Sequence, residues 1–205
     1  FESCSGGGGR YDAGMLYYMP QTWTSDNTDP IARLKIQYST SLVYPISTMG
    51  AHVSAIPNHQ TGRETSLDIR GNVAMSGVLG YELDLTTLSE EEKVLIVKQV
   101  DFYKEHRQLL QFGDFVRLKS PYEENEVAWM FVSKDKKEAI VFYFRVLVEA
   151  SAPYVTLKLA HLDETLEYQI ANHVISGDAL MNIGMYIDPK LHGDYATQAF
   201  VLKAK

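Results

Sequence analysis

Two periodicities divide this chain. Up to about residue 112, short apolar runs alternate with stretches whose apolar residues recur every three or four positions; beyond it the spacing becomes that of strands. Residues 1–4 read as the end of a strand, and residues 12–18 as one or two helical turns stopped before Pro20. Gln21-Thr22-Trp23-Thr24 is a short strand. Asp29-Pro30 then opens a helix, with Asp29 as N-cap and Pro30 at the first helical position. Ile31, Leu34, Ile36 and Tyr38 supply its buried face, which leaves Arg33, Lys35 and Gln37 to water. Residues 42–46 read as the next strand, 47–52 as small and polar residues past its end, and 57–63 as a loop. A helix over about 65–75 is interrupted or weakened at Gly71, and residues 78–83 return to strand. Ser89-Glu90-Glu91-Glu92 is a capping box opening a helix to about Gln111. Strand and helix in alternation predict a parallel sheet with crossover helices.

After Phe112-Gly113 the pattern predicts strands at 115–118, 127–132, 139–148, 155–159, 166–170 and 200–202, separated by turn residues such as Ser133-Lys134-Asp135-Lys136-Lys137. Short strands at close spacing predict an antiparallel β-sandwich. The fold class expected is therefore α/β followed by all-β, with domains at 1–112 and 113–205.

Composition narrows the function. At 205 residues the chain can bury a sizeable core, and 45% apolar with 22% charged residues is ordinary for a globular protein. A net charge of -7 argues against a nucleic-acid partner, because phosphate binding needs clustered Lys and Arg. No apolar run is long enough to cross a membrane. A single cysteine suits a reducing compartment, and a cytoplasmic location is expected. The chain opens on Phe1 inside strand-like residues, which reads as a cut within a larger protein.

The polar cluster Ser25, Asp26, Asn27, Thr28 and Asp29 closes the strand at residues 21–24. Parallel α/β folds put their chemistry at such strand ends. Asp29 is claimed by the helix cap, so Asp26 is the carboxylate left for chemistry; the alternative is that Asp26 also serves the helix start. The run Ser5-Gly6-Gly7-Gly8-Gly9 either brings backbone close to a ligand or is a linker; no Gly-Lys-Ser/Thr closes it as in a P-loop. Cys4 is either a nucleophile served by His52 or His59, or a packing residue lining a pocket. Trp23, with Tyr11, Tyr17 and Tyr18, suits a sugar platform or an ordinary core. The six histidines lack metal-ligand spacing, and neither metal nor cofactor is expected. Ser25 lacks the G-x-S-x-G elbow.

Longer segments go further than single residues. Cys4-Ser5-Gly6-Gly7-Gly8-Gly9-Arg10, Gly14-Met15-Leu16-Tyr17-Tyr18, Pro20-Gln21-Thr22-Trp23-Thr24-Ser25-Asp26, Arg33-Leu34-Lys35-Ile36-Gln37-Tyr38, Tyr44-Pro45, Met49-Gly50-Ala51-His52-Val53-Ser54, Pro57-Asn58-His59-Gln60 and Gly80-Tyr81-Glu82-Leu83-Asp84 are dense, and with Phe102-Tyr103-Lys104, Gln111-Phe112-Gly113-Asp114 and Phe200-Val201-Leu202-Lys203-Ala204 they cover essentially the whole chain. They resemble the family 36 α-galactosidases. The resemblance implies a retaining glycosidase acting on terminal α-galactosyl groups, as in melibiose, raffinose and stachyose. It implies a (β/α)8 TIM barrel followed by a C-terminal antiparallel β-sandwich, of which this chain would hold strands five to eight and the sandwich.

By the same resemblance Asp26 is the general acid/base, Cys4 lines the galactose subsite, and Gly7 with Ser5 brings backbone to the sugar, with Trp23 beside them. Gly6 stands where many relatives carry Ser, which removes a side-chain hydrogen bond there. The family's nucleophile, an Asp in a Lys-Trp-Asp motif on the fourth barrel strand, has no counterpart here. The chain alone is therefore expected to be inactive, to need the missing N-terminal portion of its parent, and to form a homo-oligomer. A non-catalytic carbohydrate-binding or interaction module, or a transglycosylating enzyme of the same family, are the alternatives.

Overall fold

The structure, a computed structural model, describes residues 1–205 apart from Ser5, Gly7, Gly8, Arg10, Ala152 and Pro189. It divides into two compact units, Phe1–Gln111 and Phe112–Lys205.

The first unit alternates strand and helix: β1 (Glu2–Ser3), α1 (Ala13–Tyr18), β2 (Gln21–Trp23), α2 (Pro30–Thr40), β3 (Met49–Ser54), α3 (Leu67–Met75), β4 (Val78–Glu82) and α4 (Glu90–Phe112). The four strands pair in parallel in the order β1-β2-β3-β4, so their C-terminal ends share one edge. Local chemistry sets the helix starts. Asp29 accepts from the Ala32 amide at 3.1 Å with Pro30 behind it, and Ser66 caps α3. Ser89 and Glu92 exchange the two bonds of a capping box, at 3.2 and 3.0 Å.

Three expectations are corrected. Residues 42–46 are not a strand: the amides of Val43 and Tyr44 close on the Thr40 carbonyl as α2 unwinds. Leu42 and Val43 are exposed. The strand lies later, at Met49–Ser54, where Met49, Ala51 and Val53 are fully buried. A parallel strand covered on both faces carries no alternation, and small residues disguise it as a loop. Arg33 and Gln37, assigned to water, are instead 2% and 1% exposed. Gly71 does not interrupt α3, which runs unbroken past it.

The second unit is built on a six-stranded antiparallel sheet, β10-β9-β12-β7-β6-β5. Its strands are β5 (Asp114–Lys119), β6 (Glu126–Val132), β7 (Glu138–Arg145), β9 (Glu167–Ile170), β10 (His173–Ser176) and β12 (Ala196–Ala204). A two-stranded pair, β8 (Thr156–Leu157) with β11 (Met185–Tyr186), and a short helix α5 (Gly177–Asn182) complete it. The layer facing the sheet is thus this pair and helix, not a second full sheet. Met130, Val141, Tyr143 and Leu202 of the sheet share a core with Leu157, Leu162, Leu180 and Met185. The alternate residues Trp129, Phe131, Phe142 and Phe144 are also buried, which explains the continuous apolar runs of β6 and β7. Strands β10 and β11 and helix α5 escaped sequence reading because each is short.

Candidate active site

The C-terminal edge of the parallel sheet gathers the polar residues. Ser3 of β1 pairs with Thr22 of β2, and Trp23 with Gly50 of β3. The residues that follow these strands, Cys4 and Thr24 to Asp26, therefore leave the sheet on its C-terminal side. Cys4 is an exposed free thiol. Ser5 and Gly7 lie outside the described residues.

Trp23 ends β2 and is a buried residue, 9% exposed. Gly50 leaves the ring room, since a Cβ there would sit a tight 3.1 Å from Trp23 Cε3. The His52 ring packs on the indole with centroids 4.5 Å apart, and the Arg33 guanidinium carbon sits 5.2 Å from the ring centroid. So buried a ring offers little open face to a sugar. What it presents is its N–H: Nε1 donates to Oδ1 of Asp26 at 3.1 Å.

Asp26 itself is exposed. The helix start is served by Asp29, whose Oδ2 accepts from Ala32 and pairs with Arg63. The intervening loop is braced residue by residue. Ser25 Oγ accepts from the Asn27 amide at 3.1 Å, and Asn27 Oδ1 from the Asp29 amide at 3.0 Å. Thr28 is tied to the end of β3 and the loop after it, with Ser54 Oγ donating to its carbonyl and Asn58 Nδ2 to its hydroxyl. A carboxylate that is exposed, on a fixed loop, with one directed N–H donor is a group able to exchange a proton with a ligand.

Other predicted residues lie apart from this arrangement. Tyr11 stacks on Tyr44 at 4.0 Å and bonds Thr48; burial raises its pKa. Tyr17 and Tyr18 are exposed and meet edge to face. His52 Nδ1 lies 3.4 Å from Glu82 Oε2, a long contact on the same sheet edge. No group of three or more His, Cys, Asp or Glu placed to hold a metal occurs among the described residues. A cleft of about 670 Å³ in the second unit, lined by Tyr122, Glu126, Arg145 and Tyr154 among others, contains none of the predicted site residues. The sequence reading missed Arg33 and Arg63 as parts of the arrangement, and it weighed His52 as a base for Cys4 where the structure packs its ring on Trp23; the dense segment at residues 33–38 was the signal for Arg33, and none pointed to Arg63.

Residues 1–113, which include this whole edge, match the melibiase family. The chain belongs to that family. Residues 126–202 of this melibiase-family chain match the glycosyl hydrolase family 36 C-terminal domain. Over its full length the chain is 62% identical to α-galactosidase AgaA of Geobacillus stearothermophilus, and it spans 28% of that protein. It is 57% identical over 206 residues to α-galactosidase 1 of Pediococcus pentosaceus, again 28% of that protein. The crystal structure of AgaA superposes with a TM-score of 0.98 at 62% identity, covering all of this chain and 29% of AgaA. Substituted forms of AgaA solved in complex with raffinose and with stachyose give TM-scores of 0.98 at 61% and 0.97 at 62% identity, each again covering all of this chain and 29% of that one. The chain thus spans less than a third of the length of the relatives it matches.

Proposed function

We propose that these residues work as part of a retaining α-galactosidase of the length of those relatives, removing terminal α-galactosyl groups from melibiose, raffinose and stachyose. The observation that carries the reading is the Asp26 carboxyl: exposed, at the C-terminal end of a parallel strand, freed from capping by Asp29 and held by the Trp23 N–H. Residues 1–112 are read as strands five to eight of a (β/α)8 barrel. In support, the sheet order runs sequentially without the reversal of a doubly wound fold. Residues 113–205 are read as its C-terminal β-domain.

A retaining glycosidase needs two carboxyl groups roughly 5–5.5 Å apart. One attacks the anomeric carbon; the other protonates the departing oxygen, then takes a proton from the water that releases galactose. Asp26 is assigned the second role, and the nucleophile is assigned to residues outside these 205. Cys4, Ser5 and Gly7 are assigned to the galactose subsite, and Trp23 to the same site through its hold on Asp26. A single unpaired cysteine is in keeping with work in a reducing compartment such as the cytoplasm.

Asp26→Asn in the full polypeptide tests the reading. Turnover of raffinose should fall by about 10²–10⁴-fold, the usual worth of a general acid/base. A nitrophenyl α-galactoside, whose leaving group needs no proton, should keep most of its turnover when azide replaces water in the second step. Equal losses on both substrates would remove Asp26 from the proton transfer.

A further inference from the structure

Arg33 is buried, at 2% exposure, directly behind the candidate carboxyl. Its Nη1 donates to the Ser25 carbonyl at 3.2 Å, its Nη2 to the Gly50 carbonyl on β3, and its Nε to Gln37 Oε1 at 3.2 Å. Gln37 is itself anchored, donating to the Val73 carbonyl of α3 at 3.0 Å. The guanidinium also lies against the Trp23 ring. Among the described residues all these partners are neutral. A cation buried with no carboxylate among its hydrogen-bond partners costs folding free energy; burial lowers its pKa to about 10, and the charge of Glu82 opposes that shift only in part. Filling this volume alone would be done more cheaply by Met or Leu.

The bonds show what the charge is used for. The Ser25 carbonyl belongs to the same rigid peptide group as the Asp26 amide, so holding it fixes where the Asp26 backbone starts. The Trp23 indole is the other support of Asp26, through its N–H on Oδ1. One planar side chain therefore grips both supports and ties them to β3. Only a fork with several fixed donors can do this; a lysine ammonium cannot reach two carbonyls and stack on a ring at once.

We infer that Arg33 is a positioning residue for Asp26, setting the carboxyl at the glycosidic oxygen through the Ser25–Asp26 peptide and the Trp23 ring. The inference rests on the acid/base reading above. Its readout is leaving-group dependence, which a merely structural arginine does not produce.

The experiment uses the full polypeptide with Arg33→Met, Arg33→Lys and the milder Gln37→Met, each alone and combined with Asp26→Asn. Raffinose and a nitrophenyl α-galactoside with azide are compared. Arg33→Met and Arg33→Lys should lower kcat on raffinose by about 10- to 100-fold with KM little changed, the scale of a misplaced catalytic group. They should cost less than about threefold on the aryl substrate, since only proton transfer is impaired. Gln37→Met should show the same selectivity at smaller size. In the Asp26→Asn background, Arg33→Met should cost nothing further on raffinose, as expected of two residues acting as one unit. Equal loss on both substrates, full rescue by Lys, or additive loss in the double variant overturns the inference and leaves Asp26 in its role. If Asp26→Asn is itself unselective, the acid/base reading falls and this inference with it. Should the arginine variants not fold, Gln37→Met decides, and absence of selective loss there overturns it.

Discussion

Gln99 of α4 lies directly against Gly71 of α3. Its Nε2 donates to the Leu67 carbonyl at 2.9 Å, and its Oε1 accepts from the Tyr81 hydroxyl at 2.9 Å. One amide thus ties two helices and β4, and it fits because Gly71 has no side chain; a Cβ there would collide with the Gln99 amide. Gly71→Ala pits a gain in helix propensity of up to about 1 kcal/mol against overpacking of about 1–3 kcal/mol and two strained hydrogen bonds. We predict a net loss of about 1–2 kcal/mol, read as roughly tenfold faster hydrogen exchange across α3. Unchanged or slower exchange would mean that Gln99 moves aside at no cost.

Gly80 of β4 makes room for His52 in the same way, since a Cβ there would lie 2.5 Å from His52 Cδ2. The displaced ring has Trp23 on its other side, and Trp23 holds Asp26. Gly80→Ala in the full polypeptide should therefore lower kcat on raffinose by about tenfold, in line with small misplacements of a catalytic group. Normal turnover, with the His52 ring seen undisturbed in a crystal structure, would break that link.

Burial raises the Tyr81 phenol from 10.0 to about 12. Tyr143 is raised as well, by burial first and then by its bond to Glu126. Below pH 10 the Tyr81 phenol is neutral in both folded and unfolded chains, and its contribution to stability is fully present. Between pH 10 and about 12 the unfolded chain loses the proton first, so stability falls as pH rises. Phenolate absorbance should show a delayed fraction that appears together with unfolding. Tyr81→Phe should shrink that fraction and soften the alkaline loss. Simultaneous titration of all tyrosines near pH 10 in a folded protein would contradict it.

The 205-residue chain, taken by itself, should be inactive and should self-associate. Strands β1 and β4 are the outer strands of the parallel sheet, each paired on one side only among the described residues, and open edges recruit further strands. Val94 and Val97 on α4 are exposed as well. Light scattering of the purified chain should show a dimer or larger. A stable monomer at high concentration, or turnover of an aryl α-galactoside at the rate of full-length relatives, would count against this.

Features set by neighbours in sequence are legible in the sequence alone. The N-cap at Asp29-Pro30 and the capping box at Ser89–Glu92 need only residues three positions apart. Asp29 is legible as the cap because a cap position has a fixed offset from its helix; whether Asp26 shares the helix start stayed open until Asp29 was seen on the Ala32 amide. The dense segments from Cys4 onward along the chain carried the family resemblance without a fold.

What the chain alone could not reveal depends on partners far along it. Arg33 and Gln37 look like solvent-facing residues on a helical wheel, yet the Gly50 and Val73 carbonyls, 17 and 36 positions away, draw them inside. Strand β3 hides behind small residues because both its faces are covered. Sequence by itself determined the starts of α2 and α4, the alternating strand–helix character of the first unit and the choice of Asp26 as the candidate carboxyl. Only the tertiary structure decided what stands behind that carboxyl. The reason is physical: caps and periodicity are energies of adjacent residues, whereas a buried guanidinium is tolerable only where folding has already brought distant carbonyls to meet it.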